Sequence, residues 1–138
     1  MRDDALDRLL DYDRLRYYLA NSWFVRFRVW RVEVSETRPF GIRYSFTLHD
    51  DLNQRLLGFD NSHGVPQQIA HDHWHQFRRT KRSFPYAFQD ADKLLVDFMA
   101  AVETACQQEG VELRFVEKVV ELDDEFEEGE DDEDKPNR

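Results

Sequence analysis

Ile42-Arg43-Tyr44-Ser45-Phe46-Thr47-Leu48-His49 is the stretch that decides the fold. Ile42, Tyr44, Phe46 and Leu48 alternate with Arg43, Ser45, Thr47 and His49, and a period of two marks a strand. The expectation is one buried face and one wet face. His49 to Gln54 reads as a turn, and Arg55 to Asp60 returns as the partner strand. Gly58 inside that run predicts a close backbone approach. On the other side, Pro39 and Gly41 break the chain, and Phe24 to Val34 reads as a further strand. Its apolar set changes parity from Phe27 and Val29 to Trp30, Val32 and Val34, which predicts a bulge near Val29–Trp30.

Farther out, Ala20-Asn21-Ser22 is a turn, and Leu15, Tyr17 and Leu19 alternate with Arg14, Arg16 and Tyr18 as a strand. A continuous helix from Asp3 through Leu19 is the competing reading. Asp3 to Asp11 opens on acids and sets Leu6, Leu9 and Leu10 on one stripe, a short N-terminal helix. After a loop from Asn61 to Ala70, His71 to Phe77 has the length of another strand, and Pro85-Tyr86 closes the sheet region. Asp90 caps a helix that carries Leu94, Leu95, Phe98, Ala101, Val102 and Ala105 at helical spacing and ends at Gly110. Val111 to Val120 is ambiguous, with a late edge strand suggested by Val111, Leu113 and Phe115. The fold class is α+β: an antiparallel sheet of about five strands packed against a C-terminal helix, with a short N-terminal helix.

The 138 residues fit one domain, read as residues 1–120, followed by an acidic disordered tail over 121–138. That tail holds eleven acids, Glu121 to Asp134, against Lys135 and Arg138, so the net charge of −10 belongs almost wholly to it. The body is nearly neutral and rich in arginine. The lone Cys106 rules out an internal disulfide framework and suits a reducing compartment. No run approaches the length of a membrane span and no signal-peptide core opens the chain, so the expectation is a cytoplasmic protein without membrane contact.

Chemistry concentrates in His71-Asp72-His73-Trp74-His75, which holds three of the five histidines. On a strand, His71, His73 and His75 share one face, and Asp72 and Trp74 the other. Three readings compete. Imidazoles titrate near neutrality and can move a proton during attack by a ribose 2′-hydroxyl, with Arg78, Arg79, Lys81 and Arg82 binding phosphate. The same histidines with Asp60 or Asp72 have the donor types of a zinc-like site. The plain alternative is a solvated edge strand. Asp60, Asn61 and His63 lie where a strand runs into a loop. Asp60 either orients an imidazole and raises its pKa, or joins Asn61 in stabilising the turn. The basic run beside Trp74 and Phe77 suits single-stranded RNA, and its own plain alternative is a solvated face. His49, in a turn, is expected to be solvated. No phosphate-binding glycine loop or Gly-x-Ser-x-Gly elbow is present.

Arg43-Tyr44-Ser45-Phe46-Thr47-Leu48-His49-Asp50, Leu57-Gly58-Phe59-Asp60-Asn61-Ser62-His63, Asp72-His73-Trp74-His75, Pro85-Tyr86 and Leu94-Leu95-Val96-Asp97-Phe98 together resemble the TumE-type toxins of prokaryotic toxin–antitoxin systems. The resemblance covers roughly residues 14–110. It implies a toxin encoded beside a helix-turn-helix antitoxin, with RNA cleavage as the class-level expectation. On the matching positions it carries over Asp60, Asn61, Asp72, His73 and His75. The acidic tail and the Val111–Val120 segment depart from the family's pattern.

The functional expectation is therefore a toxin acting on RNA by histidine-based acid–base cleavage of phosphodiesters, without metal or other cofactor. Asp60, Asp72, His73 and His75 are the catalytic candidates, Arg78, Arg79, Lys81 and Arg82 the nucleic-acid contacts, and Asn61, His63, His71 and Tyr86 further candidates. The rivals are a non-enzymatic partner-binding protein and a metal-binding hydrolase using the His71/His73/His75 face. One further expectation is that the acidic segment folds over Arg78–Arg82.

Overall fold

The computed structural model describes residues 4–36, 38–61, 72–79 and 81–121. The chain opens with α1 (Asp4–Leu10), whose first turn carries Asp4 and Asp7 and whose Leu6 and Leu9 are buried. Five strands follow: β1 (Leu15–Leu19), β2 (Phe24–Arg31), β3 (Ile42–His49), β4 (Arg55–Asp60) and β5 (His73–His75). They are completed by β6 (Phe84–Pro85), α2 (Ala91–Glu109) and β7 (Phe115–Val120). All seven strands join one antiparallel sheet in the order β6-β5-β4-β3-β2-β1-β7. The sheet thus exceeds the expected five by its two outermost strands. One has two residues, and the other starts at Phe115 rather than at Val111.

The Asp90 carboxylate accepts the Lys93 amide at the start of α2, and Gly110, at φ 71°, ends the helix by donating to the Cys106 and Gln107 carbonyls. Between these caps, Leu94, Phe98, Val102, Ala105 and Cys106 are buried against the sheet. Phe98 sits edge-on to Phe27, Phe46 and Phe59, with ring centroids 5.6, 5.7 and 6.0 Å away. Those rings belong to β2, β3 and β4 and are register partners, so one helix residue ties three strands together.

The bulge expected near Val29–Trp30 is absent: β2 pairs with β3 in unbroken register from Phe24↔His49 to Arg31↔Ile42. The change of parity has another cause, because β2 is buried on both faces. Val25, Phe27 and Val29 face α2. Phe24, Arg26, Arg28 and Trp30 form the opposite face, where the Arg28 guanidinium lies 4.3 Å over the Trp30 ring. The strand also stops at Arg31 rather than Val34, which is 67% exposed. The register shifts that do occur lie at Tyr18/Leu19 and Leu48/His49.

The wet face expected of β3 is dry as well, with Arg43, Thr47 and His49 buried and only Ser45 half-buried. His49 is no solvated turn residue. Its ring stacks on Phe24 at 4.7 Å, nearly parallel. Gly58 fulfils its expectation: a Cβ there would lie 3.0 Å from Thr47 Cγ2 and 3.3 Å from the Phe46 carbonyl. The strand expected over His71–Phe77 shortens to three residues because Phe77-Arg78 turns the chain, with Arg78 at φ 59° donating its amide to the Leu56 carbonyl. Pro85, which has no amide to give, sits on an edge strand.

Glu121, counted with the acidic segment in the sequence, belongs to the folded sheet. It is buried, and its amide donates to the Arg14 carbonyl just past the end of β7.

Candidate functional site

The register of β4 and β5 sets Asp60 opposite His73 and Gly58 opposite His75. Paired residues share a face, so Asp60, His73 and His75 emerge together on the side of the sheet away from α2. The His73 Nε2–H donates to Asp60 Oδ1 at 2.9 Å, and His75 Nε2 stands 4.0 Å from Asp60 Oδ2. One carboxylate therefore lies between two imidazoles whose rings are 5.4 Å apart. His73 is almost fully buried, while the His75 side chain keeps 12% of its surface.

The tautomer of His75 follows from its other nitrogen. Nδ1 is 2.8 Å from the Arg82 carbonyl, which can only accept, so Nδ1 carries the proton and neutral His75 turns the lone pair of Nε2 toward Asp60. Burial and then the Arg55 charge lower the His75 pKa from its usual value, outweighing the upward pull of Asp60. The expected raising of an imidazole pKa by Asp60 is thus reversed at His75 by the cost of burying its charge. A neutral His75 with a free Nε2 can accept a proton, and it can equally bind a metal. The Asp60, His73 and His75 donor atoms lie within 4.8 Å of one another, a set that could hold a divalent cation, with the Arg82 carbonyl already fixing one ligand ring.

The remaining candidates are distributed differently. Asp72 lies on the α2 side of β5, where its carboxylate accepts the Tyr44 hydroxyl at 2.6 Å and its carbonyl accepts the Tyr86 amide. Burial, reinforced by Asp72, raises the Tyr44 pKa well above its usual value, so that hydroxyl stays a donor. Trp74 shares this side, stacked on Phe59 at 5.2 Å. Tyr86 donates to Asp97 on α2 at 2.7 Å. Trp74, Phe59, Tyr86 and Asp97 border a cleft of about 630 Å³ between β5 and α2, on the opposite side of the sheet from the imidazoles. Asn61 extends the β3–β4 ladder with its side chain, taking the Tyr44 amide at 3.0 Å and giving to the Ile42 carbonyl at 2.9 Å. Asp60 and Asn61 thus divide the two roles the sequence left open.

Arg78, Arg79, Lys81 and Arg82 are exposed. Arg78 pairs with Glu109 at the end of α2, Arg79 borders the cleft, and Arg82 lies over the Phe84 ring. His63 and His71 lie outside the described residues.

The sequence reading missed a second polar set on the imidazole face. Arg16, Arg26, Arg28 and Arg43 reach it from β1, β2 and β3 through the pairs Arg16↔Arg26, Arg26↔Thr47, Arg28↔Ser45 and Trp30↔Arg43. The signal was available: Arg26 and Arg28 share a parity opposite to Val25, Phe27 and Val29. Arg16 and Arg26 meet the Glu121 carboxylate, Arg28 meets Asp13 at 3.1 Å, and Arg43 donates to the Tyr44 carbonyl.

Comparison with curated proteins and with solved structures gives no match. The protein family described as Toxin TumE matches residues 3–105, a span that holds β1 to β6, most of α2 and the whole Asp60–His73–His75 cluster. The chain therefore belongs to the TumE family of toxins.

Proposed function

We propose that this toxin of a toxin–antitoxin system acts on RNA, cleaving phosphodiesters by proton transfer at His75, with Asp60 and His73 beside it. The observation that carries the reading is the Asp60 carboxylate held between two imidazoles, one nearly fully buried and one with surface left. In this scheme His75 Nε2 takes the proton of a ribose 2′-hydroxyl. The 2′-oxygen attacks the adjacent phosphorus, the bond to the 5′-oxygen breaks, and the imidazolium returns its proton to that leaving oxygen. Asp60 steadies the imidazolium, and His73 positions Asp60 by hydrogen bonding. Asp72 is a positioning residue that anchors β5 to Tyr44 on β3. The exposed Lys81 and Arg82 supply phosphate contacts, the Arg82 carbonyl being already bonded to the His75 ring, whereas Arg79 faces the cleft on the other side of the sheet. The partner is an antitoxin, here taken to be of the helix-turn-helix kind, and the setting is the cytoplasm. No described helix is long and apolar enough to cross a membrane.

The test is cleavage of an oligoribonucleotide by purified protein, beside the same oligonucleotide with 2′-deoxyribose at every position. Cleavage of the ribose form alone, lost in His75→Ala and retained with a chelator present, is the expected result. Cleavage of the deoxy form would sink the 2′-hydroxyl mechanism. The convergence of three donor atoms within 4.8 Å favours a second reading, metal-assisted hydrolysis. Under it the chelator abolishes activity and zinc or manganese restores it.

A further inference from the structure

The face that carries the imidazoles is also an arginine surface, and the chain delivers its own polyanion to the edge of it. Arg26, Arg28 and Arg43 are 8%, 4% and 2% exposed, yet α1 and α2 pack on the other side of the sheet. Burying guanidinium groups is costly unless anions or acceptors meet them. Asp13 meets Arg28, the Tyr44 carbonyl meets Arg43, and Glu121, 3% exposed, joins Arg16 and Arg26 with its carboxylate.

Glu121 is held there by construction. β7 runs along the edge of the sheet beside β1, the Glu121 amide donates to the Arg14 carbonyl, and Glu121 continues the parity of Glu117 and Val119, which face this side. β7 and Glu121 lie beyond the span matched by the toxin family, whereas the arginines lie within it. The chain beyond the matched span thus places an acid on an arginine face that lies within that span.

Ten further acids, Asp123 to Asp134, follow in sequence before Lys135. Thirteen residues separate Glu121 from Asp134, which spans at most about 45 Å when extended. The five strand spacings from β7 to β5 come to about 24 Å. The segment is therefore long enough to cross every arginine of the face and reach His75.

We propose that the acidic segment Asp123–Asp134 docks on the sheet face formed by Arg16, Arg26, Arg28 and Arg43, with Glu121 as its anchor, and occupies it against other polyanions. Docking stands on the geometry of this face alone. That the excluded polyanion is RNA rests on the function proposed above. The site differs from the exposed Arg78–Arg82 run that follows β5 in sequence.

The experiment uses the full-length chain with a nitroxide label on Gly129→Cys, Cys106 being buried and shielded from the reagent. Amide signals of Arg26–Arg28 and Arg43–Ser45 should broaden at low salt. They should recover near 1 M salt, where the Debye length falls to about 3 Å. No broadening at low salt overturns the proposal. Broadening seen only between labelled molecules and isotope-marked unlabelled ones also overturns it, since the segment would then come from a second copy. A full-length variant with all ten acids of 123–134 changed to their amides should lose the broadening. It should also bind a fluorescent oligouridylate about tenfold tighter or more, with a steeper salt dependence. Broadening that the amide variant abolishes, with oligouridylate affinity unchanged, upholds docking and removes RNA as the competitor.

Discussion

Lowering the pH should destabilise this protein through His49, by an amount the structure sets. The His49 ring is 7% exposed and stacked on Phe24. Its Nε2 is 2.8 Å from the Thr47 hydroxyl, and Nδ1 faces the Asn53 carbonyl at 3.5 Å. Burial first, then the charge of Arg26, lowers its pKa from 6.5 to about 4. The unfolded chain therefore binds a proton between those values that the folded chain refuses. Stability from this group is complete above pH 6.5 and drains away as pH falls toward 4. The full separation corresponds to about 3 kcal/mol, of which about 2 kcal/mol is lost between pH 7 and pH 5. That is a large share of the roughly 5–15 kcal/mol typical of a folded domain.

Urea unfolding of the wild type and His49→Gln at pH 7, 6 and 5 isolates the effect, because the other titrating groups are common to both. The variant should start less stable, having lost the stack, but its stability should fall by about 2 kcal/mol less across that range. The His49 Cε1–H resonance should show the ring still neutral at pH 5 in the folded protein. Parallel pH dependences, or a folded-state titration near 6.5, would refute the reasoning.

Phe98→Ala removes the ring that joins three strands and should cost about 3–5 kcal/mol in the same unfolding assay; a loss under about 1 kcal/mol would contradict the packing described. Gly58→Ala forces a methyl group to within 3.0 Å of Thr47 Cγ2 and should cost about 1–3 kcal/mol, checked by the thermal midpoint. Asn61→Asp keeps the acceptor for the Tyr44 amide but turns a second oxygen on the Ile42 carbonyl, so it should destabilise more than Asn61→Ser at pH 7, with the difference shrinking in acid. Under the proposed mechanism the acid limb of RNA cleavage reports His75 and should fall below pH 6.5, because burial and Arg55 lower that pKa; a limb above 6.5 would assign the base elsewhere.

What the sequence determined by itself was local. Alternation in Ile42–His49 set that strand, the turn after it returned Arg55–Asp60 as its partner, Asp90 and Gly110 bracketed α2, and the spacing of His73 and His75 put them on one face. These follow from a period of two or 3.6 and from caps that act within a few residues. Which partners met was decided only by the tertiary structure. Asp60 reaches His73 because the register Ser45↔Asp60↔His73 runs through three strands, and a slip of one residue would send the carboxylate to the other face. Asp72, next to His73 in sequence, goes to Tyr44 for the same reason. The parity change in β2 resembled a bulge because periodicity assumes one wet face, while Arg26, Arg28 and Trp30 form a second buried layer. Glu121 read as the start of a solvated run, yet pairing of β7 with β1 carried it to Arg16 and Arg26. Side-chain faces are fixed by neighbours along the chain, whereas registers and charge pairs are fixed by residues up to a hundred positions away, and no local pattern encodes those.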